Sequence, residues 1–266
     1  MPRVFGAIKM ITSVKNPKIQ HIRALQSRSR IRREMGAFIV EGLRLAEEAF
    51  TSDWDVQLVI YTEDLKPNGQ RLVDGFAERG VEVELVAPHV MQNTSNTKSP
   101  QGVLLVLSTA SITLPSKLDC VLVLDSLRDP GNLGSILRSA NAAGVEQVIL
   151  APKTVDPYNP KVVRGAMGAH FRLPIVALSW PEIAETLVGV HVLLADVRAE
   201  RAYYEVDWTQ PSALIIGGEA HGASREASEL AAAAITIPMP GEAESLNAAM
   251  AASVILFEAA RQRSFH

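Results

Sequence analysis

The chain has 266 residues, 47% of them hydrophobic, and a formal net charge of −3, which is enough for two domains with sizeable cores. Its single cysteine, Cys120, excludes an internal disulfide and any multi-cysteine metal site, and fits a reducing cytosol. No apolar run reaches about 18 residues, so neither a spanning helix nor a membrane partner is expected.

The opening MPRVFGAIKMITSVKNP is basic but lacks the apolar core and cleavage site of a signal peptide. Met10 is a candidate start, and residues 1–10 read as a disordered leader. Residues 1–45 carry ten lysines and arginines against Glu34 and Glu41, a balance of +8 that leaves −11 for the rest. Such a block suggests a localised polyanion contact, with Arg28, Arg30, Arg32 and Arg33 as phosphate ligands. A solvated helix face is the competing reading.

From Asn16-Pro17 the pattern predicts one helix through NPKIQHIRALQSRSRIRREMG, with Ile19, Ile22 and Leu25 on its apolar side. AFIVEG, VQLVIYT, VEVELVA and GVLLVLS read as strands, and LRLAEEAF and GQRLVDGFAERG as helices. Residues 11–108 thus alternate β and α, as a small three-layer α/β domain would. The polar TASITLPSK places a linker at 109–117. In the second domain, 118–266, CVLVLDS is a near-continuous apolar strand, as a parallel sheet buried on both faces requires. Helices NLGSILRSANAAG, PKVVRGAMGAH, PEIAETLVG and SREASELAA then alternate with strands VEQVILA, PIVALS, VHVLLADV, SALIIGG and AITIPM, before a final Ala-rich helix. In an open sheet of this kind, ligands sit beyond the carboxyl ends of the strands.

Three strand ends run into unusual loops. In DSLRDPGNLGSILRSANAAG, Asp129-Pro130-Gly131 is a turn, Asn132 is a natural N-cap, and Arg138 lies six residues further along the helix. An arginine facing a cleft suits a phosphate or an oxyanion, whereas an exposed helix arginine needs no such role. In ALIIGGEAHGAS, Gly217-Gly218 lets a ligand approach the backbone and Glu219 follows; His221 reads as a turn residue. No G-x-G-x-x-G opens a helix after the first strand of either half, so the dinucleotide fingerprint is missing. In ITIPMPGEAESLNAAMAASVILFEA, capping accounts for Ser245 but not for Asn247 in the first turn, nor for the small face of Ala248, Ala249, Ala251, Ala252 and Ser253. Small residues permit close helix packing, as between two subunits.

In order and spacing, these loops resemble the three motifs of the SpoU/TrmH branch of the SPOUT RNA methyltransferases. The motifs are NLGSILRSANAAG, IIGGEAHG and IPMPGEAESLNAAMAASVILFEA, within residues 119–263. The N-terminal ITSVKNPKI…GAFIVEG is similar, more loosely, to the substrate-binding domain that often precedes this catalytic domain. The resemblance implies an α/β-knot with a mostly parallel sheet and a deep trefoil knot, an S-adenosylmethionine pocket in that knot, no metal, and a homodimer with a shared active site. It also implies methylation of a ribose 2′-hydroxyl, with large-subunit ribosomal RNA the expected substrate and transfer RNA the alternative. Carried across, the catalytic positions are Asn132, Arg138, Glu219, Ser245 and Asn247. Cofactor contacts fall on Gly217, Gly218, Ile237 and Leu246, with Ala195 and Met239 nearby. The stretch Gly241-Glu242-Ala243-Glu244 departs from the pattern in its acidity. Arg138 is expected to act as a fixed cation, because arginine keeps its proton to a pKa of roughly 12 or more. A base-methylating SPOUT branch is disfavoured by NLGSILR, a non-catalytic RNA-binding scaffold by the intact polar set, and a dehydrogenase by the missing fingerprint.

Overall fold

A computed structural model describes residues 10–109, 118–219 and 222–264. The expected leader apart from Met10, most of the expected linker, and His221 lie outside the described residues. The chain divides into two compact units, one of residues 10–109 with Tyr158–Arg164 and the other of 118–157 and the described residues from Gly165 onward.

In the first unit, Asn16 accepts the Lys18 N–H at 2.9 Å and Pro17 occupies the first turn, so α1 runs Pro17–Ser27. The single helix expected here is broken. Arg28 is extended (φ −126°, ψ 109°), and α2 begins afresh at Ser29–Met35. The buried guanidinium of Arg32 holds the break, donating to the carbonyls of Leu25 at 2.6 Å and Gln26 at 3.3 Å. Those are end carbonyls that a helix leaves without an internal donor. Beyond α2 come β1 (Ala37–Glu41), α3 (Leu43–Thr51), β2 (Val56–Tyr61), α4 (Pro67–Glu78), β3 (Glu82–Leu85), α5 (Pro88–Thr94) and β4 (Val103–Ser108). The strand order is β1-β4-β2-β3, antiparallel except for β2–β3. Ile19, Ile22 and Leu25 of α1 pack on Ile39, Ile60, Leu104 and Val106 of one sheet face, closed by Val90 and Met91 of α5. Each such side chain contributes about 1.5–3 kcal/mol by leaving water. The short helix α5 has no counterpart among the expected elements.

The second unit is built on β5 (Cys120–Asp125), α6 (Pro130–Ala142), β6 (Gln147–Leu150), β7 (Ile175–Ala177), α8 (Trp180–Thr186), β8 (His191–Ala195), β9 (Ser212–Gly217), α9 (Arg225–Leu230), β10 (Ala233–Ile235) and α10 (Ala248–Ser264); α7 (Pro160–Ala166), between β6 and β7 in sequence, belongs to the first unit as far as Arg164. All six strands are parallel, in the order β10-β8-β9-β5-β6-β7. Every residue of β5 is buried, as its unbroken apolar run requires. From β5 the chain winds outward through β6 and β7, then crosses to fill the other side. The winding therefore reverses between β5 and β9, where an open parallel sheet leaves a crevice at its carboxyl edge.

α10 lies against α6, with Ala249, Ala252, Ile255, Leu256 and Ala259 buried and Ser139 hydrogen-bonded to Ser253 at 2.8 Å. The small-residue face expected to meet a second subunit therefore packs largely within this chain. At the far end of α10, Arg263 donates to the carbonyls of Trp208 (2.6 Å), Asp119 (2.8 Å) and Gln210 (3.0 Å), tying the helix to the loops before β5 and β9.

Candidate active site

The crevice begins with a buried carboxylate. Asp125 closes β5 and accepts the Ser224 N–H at 2.6 Å and the Ser126 hydroxyl at 3.0 Å, linking the β5 end to the start of α9. Ser126 takes a positive φ of 56° to turn the chain. Asp129 then caps α6, accepting the Asn132 N–H at 2.8 Å. Asn132 is thus not the N-cap. It stands in the first turn with its side chain available for other work.

That side chain joins the three loops. Asn132 Nδ2 donates to Glu219 Oε1 at 2.8 Å, and Asn132 Oδ1 accepts from Asn247 Nδ2 at 3.0 Å. Asn247 Oδ1 in turn accepts the N–H groups of Ala249 at 2.9 Å and Met250 at 3.4 Å. Asn247, not Ser245, therefore caps α10. The polarity of the chain is determined at both ends, because an ionised carboxylate only accepts and a helix N-terminus only donates. Each amide between them has one satisfactory orientation. Burial pushes the Glu219 carboxyl upward, but the Asn132 amide and the main-chain N–H groups of Glu219, Arg128 and Asp129 outweigh it, holding the group below the usual carboxylate range. Glu219 is an anion at neutral pH and serves as the anchor of this chain.

Beside the chain lies a cavity of about 610 Å³. Ala195, Gly217, Gly218, Ile237, Met239 and Leu246 all line it, together with Glu219, Ser245 and Asn247. The two glycines are sterically required: a Cβ on Gly217 would stand 2.5 Å from Ala223 N, and one on Gly218 2.5 Å from the Ser126 carbonyl. The β9 end is thus pressed against neighbouring backbone, leaving its outer side open to a ligand. Ile216, Ile235 and Ile255 supply apolar wall for a flat aromatic group, while Glu219, Ser245 and Asn247 bring polar groups to the lining. This mixture fits S-adenosylmethionine, with its purine and its charged sulfonium and amino-acid tail.

Ser245 is exposed in the lining, with no hydrogen-bond partner among the described residues. Arg138 is not in the lining. It is exposed on α6, six positions from Asn132 and so about a third of a turn round the helix. Among the described residues it makes no hydrogen bond or ion pair. Of the expected phosphate contacts, Arg28, Arg30 and Arg33 are exposed, and Arg30 pairs with Glu34 at 2.6 Å. Arg32 is corrected: its guanidinium is buried on the α1 carbonyls and cannot reach a phosphate. Asp125, Asp196 and Arg198 have no place among the residues expected from sequence, and Asp129, expected only in a turn, is the α6 cap. Asp125 had a signal, a charged residue closing a wholly apolar strand.

Comparison with known proteins agrees with this geometry. Residues 119–257 match the model of the SpoU rRNA Methylase family. The chain belongs to that family. Residues 16–105 match the MRM3-like substrate binding domain. The 23S rRNA (guanosine(2553)-2′-O)-methyltransferase RlmP of Bacillus subtilis is 30% identical over 94% of this chain and 98% of its own. The 23S rRNA (uridine(2479)-2′-O)-methyltransferase of Streptomyces viridochromogenes is 35% identical over 97% and 93%. An AdoMet-bound rRNA methyltransferase from Sinorhizobium meliloti superposes with a TM-score of 0.86 at 32% identity, over 96% of this chain and 98% of that one. As a SpoU family member, this chain is an RNA 2′-O-ribose methyltransferase that uses S-adenosylmethionine.

Proposed function

We propose that the chain methylates one ribose 2′-hydroxyl of large-subunit ribosomal RNA, in the cytoplasm and as a homodimer. The Glu219–Asn132–Asn247 chain beside the cavity carries this reading, because it holds a fixed set of amide and carboxylate dipoles where a nucleotide must meet the cofactor. The names of relatives that match nearly the whole chain support the ribosomal substrate.

Bound S-adenosylmethionine supplies a methyl group on a sulfonium, whose leaving group needs no proton. Gly217, Gly218, Ile237 and Leu246 would hold it, with Ala195 and Met239 also in the lining. The chain's own task is to bring a poor nucleophile into line and favour its developing negative charge. Ser245, without a hydrogen-bond partner among the described residues and in the lining, orients the ribose hydroxyl beside Asn247. Asn132 and Glu219 keep Asn247 from turning. Arg138 stabilises the forming oxyanion and its neighbouring phosphate as a permanent cation, and the hydroxyl proton passes to that phosphate or to water. Since Arg138 lies outside the cavity lining, it serves the site of the partner subunit.

The stripe of Met250, Val254 and Phe257 supports pairing through α10. These residues are 59%, 38% and 51% exposed along one side of the helix. The first unit brings the RNA, with Arg28, Arg30 and Arg33 on phosphates. The C-terminal segment is the part that threads the trefoil knot in this reading. No helix among the described residues is long and apolar enough to cross a membrane.

Mapping 2′-O-methylated positions in total RNA with and without the gene tests this. One large-subunit position should lose its methyl group in the deletion and regain it with the wild-type gene. Loss confined to transfer RNA would overturn the ribosomal assignment.

A further inference from the structure

Two charged residues of the cavity lining form an ion pair with no part in the chain described above. Asp196 directly follows β8. Its N–H donates to the Ile235 carbonyl at 2.9 Å, which extends the β8–β10 ladder and pins the residue in place. Asp196 Oδ1 accepts from Arg198 N at 2.9 Å and Nε at 3.1 Å, and Oδ2 accepts from Arg198 Nη2 at 2.8 Å. The Asp196 side chain is 23% exposed and that of Arg198 86%. Arg198 thus caps the carboxylate from the solvent side. The hydrogen bonds from Arg198 hold the Asp196 carboxyl below its ordinary range despite partial burial.

A carboxylate offers about four acceptor positions. Among the described residues three are used, and the remaining one is on Oδ2. A carboxylate already neutralised by a bidentate guanidinium is a weak counter-ion for a second cation. It still accepts well from a neutral hydroxyl. The residues near it at the β10 end, Ile235 and Ile237, are apolar and suit a purine face. The polar group joined directly to the purine of S-adenosylmethionine is its ribose, with two adjacent hydroxyls.

We propose that Asp196 Oδ2 accepts a hydrogen bond from a ribose hydroxyl of S-adenosylmethionine, and that Arg198 is the positioning residue that fixes the carboxylate for it. The inference rests on the cavity being the cofactor site.

Calorimetric binding to the full chain tests it, using S-adenosylhomocysteine, its 2′-deoxy and 3′-deoxy counterparts, and 5′-methylthioadenosine, which lacks the amino-acid tail. Wild type should bind at least one deoxy compound about tenfold or more weakly than the parent, the usual value of a hydrogen bond to a charged group. Asp196→Ala should weaken the parent by a similar factor and no longer distinguish it from that deoxy compound. Asp196→Asn keeps an oxygen for the Arg198 N–H turn and should lose the same discrimination, which separates ligand contact from turn geometry. Arg198→Ala should weaken the parent less and keep the discrimination. Equal wild-type affinity for both deoxy compounds and the parent would overturn the proposal, whatever the variants do. So would a loss in Asp196→Ala that disappears with 5′-methylthioadenosine, because the carboxylate would then serve the amino-acid tail. Absence of any wild-type binding of S-adenosylhomocysteine would remove the cofactor site itself, and the proposal with it.

Discussion

Asn247 has two functions that chemistry can separate. Its Oδ1 caps α10, and its Nδ2 holds Asn132. Asn247→Asp keeps the cap, and its charge suits a helix N-terminus, but it has no N–H for Asn132. Its thermal midpoint should stay near wild type, the charged cap offsetting the repulsion at Asn132 Oδ1, while single-turnover methyl transfer falls about tenfold or more. Asn247→Ala loses both functions and should also cost about 0.5–2 kcal/mol of stability. A fully active Asn247→Asp would reduce the residue to a cap. His170 is a separate case. Burial lowers its imidazole to about 4 from an ordinary 6.5, against the Pro157 carbonyl and Asp156, which raise it. Below pH 6.5 the unfolded chain gains a proton that the folded chain refuses until about pH 4. Stability is therefore full above that window and falls as pH drops through it, by up to roughly 3 kcal/mol. Urea unfolding at pH 7.5 and pH 5 should show the loss, and His170→Gln should flatten it.

At the scale of the element, α10 has two unlike faces. Ala252 is fully buried and Ala249 is 2% exposed on the inner side, with α6 close enough for Ser139 to bond Ser253. A large side chain there acts on the fold: Ala252→Leu should cost about 1–3 kcal/mol by overpacking. The outer stripe acts on assembly. Paired Met250→Glu and Phe257→Glu should leave the unfolding midpoint near wild type and give a monomer by light scattering, with methyl transfer lost. A wild-type monomer that is fully active would remove the dimer. The break between α1 and α2 likewise has a residue behind it, because Arg32 satisfies carbonyls that a continuous helix would have bonded internally.

At the scale of the molecule, the sheet order brings distant parts of the sequence to one edge. Reversal of winding between β5 and β9 sets Asn132 beside Glu219, 87 residues apart, and α10 adds Asn247, 115 residues from Asn132. Arg138 stays outside the cavity lining, and service across a subunit boundary has a specific consequence. Arg138→Ala and Asn247→Ala proteins, each inactive alone, should regain activity when unfolded and refolded together. In the mixed dimer, one site combines an intact Asn247 with the partner's Arg138. Random pairing should restore about a quarter of wild-type activity, since half the dimers are mixed and each has one competent site of two. No recovery would place Arg138 in its own subunit's site or outside the chemistry.

The strands of the parallel sheet, the glycine pair and the three loops were legible in the sequence, because burial on both faces and close backbone approach leave local marks. CVLVLDS reads as a buried strand, and Gly217-Gly218 reads as a close backbone approach, expected for a ligand and made in the structure by the chain's own backbone at Ala223 and Ser126. The α1–α2 break was not legible: arginines at 28, 30, 32 and 33 look alike in sequence, and only packing decides that Arg32 turns inward. The cap of α10 is undecided in the sequence for a similar reason. Ser245 and Asn247 are both good caps locally, and the choice falls to Asn247 because Asn132, held by Glu219, orients its amide. The sequence by itself determined most of the elements, α5 and the α1–α2 break excepted, and which loops are unusual, since both follow from local periodicity and backbone freedom. The order of the strands, and the partners of each polar side chain, were decided by the tertiary structure alone, because hydrogen bonds across about a hundred residues depend on which strand ends the sheet makes neighbours.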